Sequence, residues 1–499
     1  MNYKVNDKKM KIAFVYQVPS FWPSWDSLYS KCKSDENIKV KLFRINDSHG
    51  DKAQMSNSED FLIRNNIDYE EFSYEKVMNF APDYMIYQTP YDKGHRPIET
   101  WTARFRKEGI KIVYIPYGIE ISDTIESRYK HFSLSVVLNS FRVFVMSDAI
   151  KREYDKYCIN ASVVSPMGLP RFDALMRKYD IPKEYQDKVN GRKIILWKSH
   201  FPKIFIENGV KKQATPNLSE YIKFIEYIKA TKDLYFVFMP HPKFVDQTID
   251  HELLPQAQLI IKKLKTIDNA YIDISNDYRN SLTNADAIIV DRSAVMVEAG
   301  IKNVPVLYMS NNDYYEPMTE PIQKLLDSYY QGASAREMID FCEMIRNGED
   351  GKHEIRKQAF EECVLHLDGK CADRIVENLW DNCCKEYESK MVCKLKSYSK
   401  IVVFGTGDIS DYCMKHFKTR KDKSVEIVAF VDNDTKKQGE FFYNREIISP
   451  EQLKNVAYDY IMIASDKYYR EFYIQAIQLG ISERQIINYD QFIVLTLLD

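Results

Sequence analysis

Short apolar runs, each followed by a small polar turn and a helical stretch, recur along the whole chain, and that alternation leaves a parallel α/β architecture as its fold class. The runs fall at 11–16, 39–44, 83–87, 112–115 and 141–146, then at 193–197, 235–239, around Tyr271, 287–290 and 304–309, and last at 401–404, 427–431 and 458–464. Runs that are apolar throughout read as strands covered on both faces by helices. Segments 61–80 and 100–108 read as helices, and 219–231 places Tyr221, Phe224, Ile225 and Ile228 on one helical face. In such sheets ligands collect beyond the carboxyl ends of the strands, so the residues leaving each run are the ones to read for chemistry.

A length of 499 residues suits about three domains. The pattern divides into 1–185, 186–345, a charged helical connector over 346–398, and 399–499. A net charge of −2 gives no reason to expect a nucleic acid as partner. Nine cysteines, none in a CxxC pair, read as free thiols in a reduced compartment, and no metal site is expected. Residues 1–11 lack the apolar core of a leader, and no run of 18 apolar residues follows, so the expected location is cytoplasmic, at most peripheral. Lys262, Lys263 and Lys265 are either a solvated helix face or a contact for anionic lipid on the inner membrane or for a polyanionic acceptor.

Chemistry concentrates at a few strand exits. The run 287–290 breaks at Asp291-Arg292-Ser293-Ala294 and a helix starts at once, so Ser293 and the N–H groups after it can hold phosphate oxygens. Ser293 as a plain helix cap is the alternative. Arg292 can pair with phosphate or with Asp291, and Glu298 can bind ribose hydroxyls or sit on a solvated helix face. The run 235–239 exits into Pro240-His241-Pro242, where flanking prolines hold the histidine in an extended turn, as acid, base or diphosphate partner, or as a packed loop residue. Lys198-Ser199-His200 leaves the run at 193–197, so His200 can reach the same cleft. The first half offers His95, Tyr117 and Glu120 at strand exits for the acceptor and a base.

Near the end, Gly405, Gly407 and Ser410 give GxGxxS after a strand, with Asp432 closing the next one. This matches a dinucleotide fingerprint except for serine in the last position, in a domain of about 100 residues. A nucleotide, a nucleotide-sugar or a structural role each suits it.

Residues 80 to 340 resemble the CDP-glycerol glycerophosphotransferase family, which builds teichoic-acid-like polymers on a GT-B scaffold. The resemblance runs in chain order through Gly168-Leu169-Pro170-Arg171-Phe172-Asp173, Pro240-His241-Pro242, Asp286 to Ser293, 302–308, and Asp313-Tyr314-Tyr315. It implies a GT-B-like pair of Rossmann-like domains plus a third small Rossmann-like domain, with His241 and Ser293 at the donor diphosphate and no metal required. It further implies transfer of a phospho-alditol from a CDP-linked donor to a glycan or lipid-linked saccharide, releasing CMP, in capsule or cell-wall synthesis. The family's Trp-His-Gly-Thr turn is replaced by Pro116-Tyr117-Gly118-Ile119, and its Asp-Tyr-Ser-Ser turn by Asp291-Arg292-Ser293-Ala294. These departures keep two alternatives in view, a nucleotide-sugar glycosyltransferase and a non-catalytic scaffold. The last 100 or so residues resemble small Rossmann domains attached to enzymes of bacterial surface polysaccharides.

Overall fold

The computed structural model describes residues 9–45, 58–207, 209–214, 217–245, 249–275, 277–311, 314–385, 395–396, 398–418 and 425–497. Asp313 and Cys393 lie outside the described residues.

Three sheets carry the chain, parallel but for the outermost strand of the third. The first holds β1 (Met10–Tyr16), β2 (Ile38–Arg44), β3 (Glu70–Glu71), β4 (Tyr84–Tyr87), β5 (Lys111–Tyr114), β6 (Arg142–Val145) and β7 (Val164–Pro166), ordered β3-β2-β1-β4-β5-β6-β7. The second holds β8 (Lys193–Ser199), β11 (Leu234–Pro240), β12 (Ala270–Ile272), β13 (Ala287–Val290), β14 (Val306–Met309) and β15 (Tyr330–Gly332), ordered β12-β11-β8-β13-β14-β15. A hairpin of β9 (Lys203–Glu207) and β10 (Val210–Ala214) projects between β8 and β11 in sequence. The third contains β16 (Ser399–Phe404), β17 (Val425–Val431), β18 (Phe441–Phe442), β19 (Arg445–Ile448), β20 (Tyr460–Ile463) and β21 (Ile486–Asn488). In each sheet the order reverses beside the first strand, which opens a crevice at the carboxyl edge between β1 and β4, β8 and β13, and β16 and β20.

Local sequence accounts for most elements. All seven residues of β11 and all four of β13 are buried, as strands covered by helices require. The helix Leu218–Ala230 starts at Asn217, whose side chain accepts from the Ser219 N–H at 3.2 Å, and buries Leu218, Tyr221, Phe224, Ile225 and Ile228. Segment 61–80, which reads as one helix, is instead the helices Ser58–Arg64 and Tyr74–Phe80 with β3 between them. The cause is pairing at a distance, since Glu70 and Glu71 add to the free edge of β2. The hairpin β9–β10 is not among the runs read as strands, although β9 carries Ile204, Phe205 and Ile206 in sequence.

Two halves and a connector close on one another. The Ile121–Asp123 stretch after β5 meets 317–319: Asp123 N–H donates to the Pro317 carbonyl at 2.8 Å and Thr319 N–H to that of Ile121 at 3.0 Å. The connector helices His353–Cys363 and Cys371–Cys383 run back onto both halves. Tyr84 Oη donates to the Leu379 carbonyl at 2.7 Å, and Lys111 Nζ to those of Asn382 and Cys383 at 2.8 Å. The third sheet docks on the first half, where Trp101 and Ala103 join one apolar cluster with Ile401, Phe492 and Ile493. Among the described residues no helix is long and apolar enough to cross a membrane.

Candidate active site

Strand register brings three exits of the second sheet together. Val290 pairs with Lys198, and Pro240 with Ser199, so Asp291, His200 and His241 leave the sheet side by side. Asp291 is fully buried and ties two of these exits, its carboxylate accepting from the His200 N–H at 2.8 and 3.0 Å. Ser199 Oγ and Tyr221 Oη each reach Asp291 Oδ2 at 3.3 Å. Burial pushes the Asp291 carboxyl up to about 6, against the pull of the His200 N–H and Lys198. His241 N–H donates to the Ser199 carbonyl at 2.8 Å, and the His241 and His200 rings lie 5.0 Å apart.

The cluster combines buried hydrogen-bond donors with paired charges. Lys198, 8% exposed, points its Nζ at the Ser199 and Met239 carbonyls at 3.3 Å. Its ammonium is pushed down to about 8 by burial, while Asp291, Asp273 and Glu298 hold it up. His241 is pushed down to about 3 by burial and by the charges of Lys198 and Lys243, so its ring is neutral at pH 7. Nδ1 of His241 accepts from the Lys243 N–H at 3.1 Å, which leaves the ring proton on Nε2 as a donor. Ser293 Oγ is buried and has no hydrogen-bond partner among the described residues. Arg292 bonds Glu316, with Nη2 at 2.7 Å from Oε1. The helix after the turn is short, Val295–Glu298 before a 3₁₀ turn, so its dipole is slight and the side chains carry the charge.

Arg171 links the halves. Its Nη1 donates to Glu298 Oε1 at 3.0 Å and its Nη2 to the Tyr117 carbonyl, while Tyr278 Oη donates to the same Glu298 oxygen at 2.6 Å. Glu298 is 1% exposed and so is not on a solvated helix face.

A model of the family described as C2185-like, N-terminal, matches residues 397–487. No curated protein matches the chain in sequence. Among solved structures, the UDP-GlcNAc 2-epimerase from Neisseria meningitidis bound to UDP-GlcNAc is similar at 15% identity and a TM-score of 0.51, over 75% of this chain and 100% of that one. The S. aureus MnaA–UDP co-structure is similar at 15% identity and a TM-score of 0.52, over 76% and 99%. A variant of the wall teichoic acid polymerase TagF is similar at 12% identity and a TM-score of 0.51, over 75% and 89%. The first two sheets and their helices form a GT-B fold.

The GT-B cleft lies between the carboxyl edges of these two sheets. On its second side stand Pro240, His241, His200, Asp291, Arg292, Ser293 and Ala294, brought together as neighbouring strand exits. The first-side residues are more dispersed. The His95 ring is exposed and stacks on Tyr91 at 4.4 Å. Tyr117 packs on Phe21 at 4.0 Å, and burial raises its phenol well above the usual range, which removes it as a base near neutral pH. Glu120 is buried, accepts from Tyr154 Oη at 2.8 Å and keeps Oε2 without a partner among the described residues, its carboxyl raised by burial.

Two further residues join the site in the three-dimensional arrangement. Lys198 is the last-but-one residue of β8, directly after the apolar run Ile194–Trp197, and a lysine at that exit is the one signal in the sequence. His131, on the helix Ile125–Phe132, is pushed down to about 4 by burial and then by the Arg292 guanidinium of the opposite half. Nothing in the local sequence marks it.

In the third sheet, Gly405 adopts φ +100°, and a Cβ there would meet the Ala464 carbonyl oxygen at 3.3 Å. Gly407 is open on its Cβ side, and Ser410 is buried with its Oγ unpartnered among the described residues. Asp432 reaches across to the glycine turn after β16, accepting from the Thr406 N–H at 3.0 Å, and lies 3.4 Å from Lys437 Nζ.

Proposed function

We propose that this GT-B protein transfers a phospho-alditol, glycerol phosphate or a near relative, from a CDP-linked donor to a hydroxyl of a glycan or lipid-linked acceptor, releasing CMP. The observation that carries the reading is the meeting of His200, His241 and the Asp291-Arg292-Ser293 turn above the buried Lys198. In this reading the diphosphate lies against that turn. His241 Nε2–H and Ser293 Oγ–H donate to its oxygens, and Lys198 and Arg292 offset the charge that develops as the acceptor oxygen attacks the β-phosphorus. The bond from the β-phosphorus to the bridging oxygen breaks, and CMP leaves with that oxygen. The acceptor proton passes to a neutral imidazole on the first half, His131, whose environment includes Arg292. The likeness of fold to TagF supports a place in cell-wall polymer synthesis.

Incubation with CDP-glycerol and a panel of saccharide acceptors should release CMP in an acceptor-dependent way. The absence of CMP, together with turnover of a nucleotide-sugar, would sink the reading. A nucleotide-sugar donor is the second reading, favoured by the fold shared with proteins holding UDP-GlcNAc and UDP. Thermal shifts separate the two: stabilisation by UDP-sugars and none by CDP compounds selects the second.

A further inference from the structure

We propose that Glu316 is a positioning residue that holds Arg292 in the empty cleft and yields it to a diphosphate, so that the contact between the two halves answers to donor binding; this rests on the transferase reading above. In the structure the fork of Arg292 is taken, with Nη2 donating to Glu316 Oε1 at 2.7 Å and Nε facing Oε2. Arg292 is the only ion-pair partner of Glu316 among the described residues. The Glu316 side chain is 5% exposed and that of Arg292 31%, so the pair is shielded at the carboxylate and open at the guanidinium. A guanidinium paired in this way shows a ligand little net charge. A diphosphate in the turn gains the full cation only as Glu316 withdraws, because two sets of anionic oxygens around one guanidinium repel each other.

Arg292 stands where such an exchange is felt on both sides of the cleft. The His200 imidazole is held well below the usual range by burial, then by His241 and Arg292. On the first half, His131 is lowered by burial and then by the same guanidinium. The cation therefore lies between the donor exits and the opposite half.

Glu316 is the other end of the path, because the residues directly after it carry the contact between the halves. The Pro317 carbonyl accepts from the Asp123 N–H at 2.8 Å, and Met318 bridges Ser122. Thr319 donates its N–H to the Ile121 carbonyl at 3.0 Å and its Oγ1–H to that of Glu120 at 2.8 Å. Once a ligand takes Arg292, the Glu316 carboxylate is left buried without its cation, which desolvation makes costly. The carboxylate turns to water instead, and the strain passes to 317–319 and loosens their bonds to 120–123. Donor binding and the seam between the halves are thus coupled through one ion pair.

Calorimetric titration of the full chain with pyrophosphate, CDP and UDP tests this in the unaltered protein, Glu316→Gln and Glu316→Asp. Glu316→Gln removes the competing charge and should bind pyrophosphate and the preferred nucleotide about 3- to 10-fold more tightly. Glu316→Asp, which keeps the charge and shortens its reach, should fall between. On an Arg292→Gln background the same change at 316 should gain nothing, since the cation it would free is absent. Hydrogen exchange gives a readout that needs no variant: amides in 120–123 and 317–319 should exchange faster in the unaltered protein once pyrophosphate is added. Ligand-free Glu316→Gln should already exchange at that faster rate. Equal or weaker binding by Glu316→Gln, a gain that survives on the Arg292→Gln background, or exchange blind to pyrophosphate overturns the proposal. A lower melting temperature of Glu316→Gln with unchanged affinity assigns Glu316 to stability alone. Nucleotide binding by the unaltered protein with no gain in Glu316→Gln removes this coupling and leaves the donor reading. A gain for pyrophosphate with no binding of either nucleotide leaves the coupling and removes the donor reading. Silence of all three ligands on every variant removes both.

Discussion

His241 shows how a side chain acquires a function that its residue type does not specify. Burial and two lysines keep its ring neutral, and the Lys243 N–H on Nδ1 puts the proton on Nε2, so the ring is a donor rather than a cation. His241→Ala should lower CMP release about 10²- to 10³-fold with the melting temperature little changed, measured as kcat/KM beside a thermal melt. Lys198 makes a second prediction. Its ammonium is pushed down to about 8, so in the free protein the charge that attracts a diphosphate is lost as pH rises through that value. CDP affinity should therefore fall from pH 7 to pH 9, and calorimetric titrations of Lys198→Met should be weaker and flatter over the same range. Both residues leave a trace in the sequence, His241 through its prolines and Lys198 as a charge in an apolar strand. Arg171 stands out only within the Gly168–Asp173 motif, and its bonds to Glu298 and Tyr117 are illegible there because those partners are far away along the chain and on different elements.

Between elements, the Gly168–Asp173 segment is a junction of three parts rather than a ligand loop. Gly168 sits at φ +83° against the Leu365 carbonyl, Arg171 crosses to Glu298, and the Asp173 carboxylate accepts the Cys371 and Ala372 N–H groups at 3.0 and 2.9 Å to cap a connector helix. Arg171→Met would leave Glu298 buried opposite an apolar chain. It should cost about 3–5 kcal/mol in urea unfolding. The connector docks through a second close contact: a Cβ on Gly300 would fall 2.4 Å from the Phe360 ring. Gly300→Ala should destabilise by about 1–3 kcal/mol, and the smaller Phe360→Leu in the same chain should recover part of that, read from paired melts.

At the scale of the molecule, the third sheet is held to the first half by buried polar groups as well as apolar packing. Asn139 Nδ2 donates to Asp490 Oδ2 at 2.7 Å, and Lys93 lies over the Tyr412 and Tyr489 rings at 5.1 and 5.7 Å. Burial, then the nearby Asp92, pushes the Asp490 carboxyl up to about 7. The folded value thus exceeds the unfolded one of about 4. The native state therefore holds the proton more tightly, and stability falls as pH rises from 4 through 7. Asp490→Asn, which keeps an oxygen for Asn139, should raise the melting temperature at pH 8 and leave it nearly unchanged at pH 4. Equal gains at both values would exclude ionisation of Asp490 as the cause.

By itself the sequence determined the α/β class, the strand exits and the candidate turns, because a strand buried on both faces must be apolar along its length and a turn must carry polar or flexible residues. These are short-range demands, legible within a dozen residues. Only the tertiary structure decided which exits are neighbours, since the order β12-β11-β8-β13 is set by pairing between distant segments. It also decided that Glu298 faces Arg171 instead of water, that Tyr117 is packed on Phe21, and that His131 shares its surroundings with Arg292. Each of these follows from the docking of two halves, where a side chain's charge and partners depend on surfaces far away along the chain.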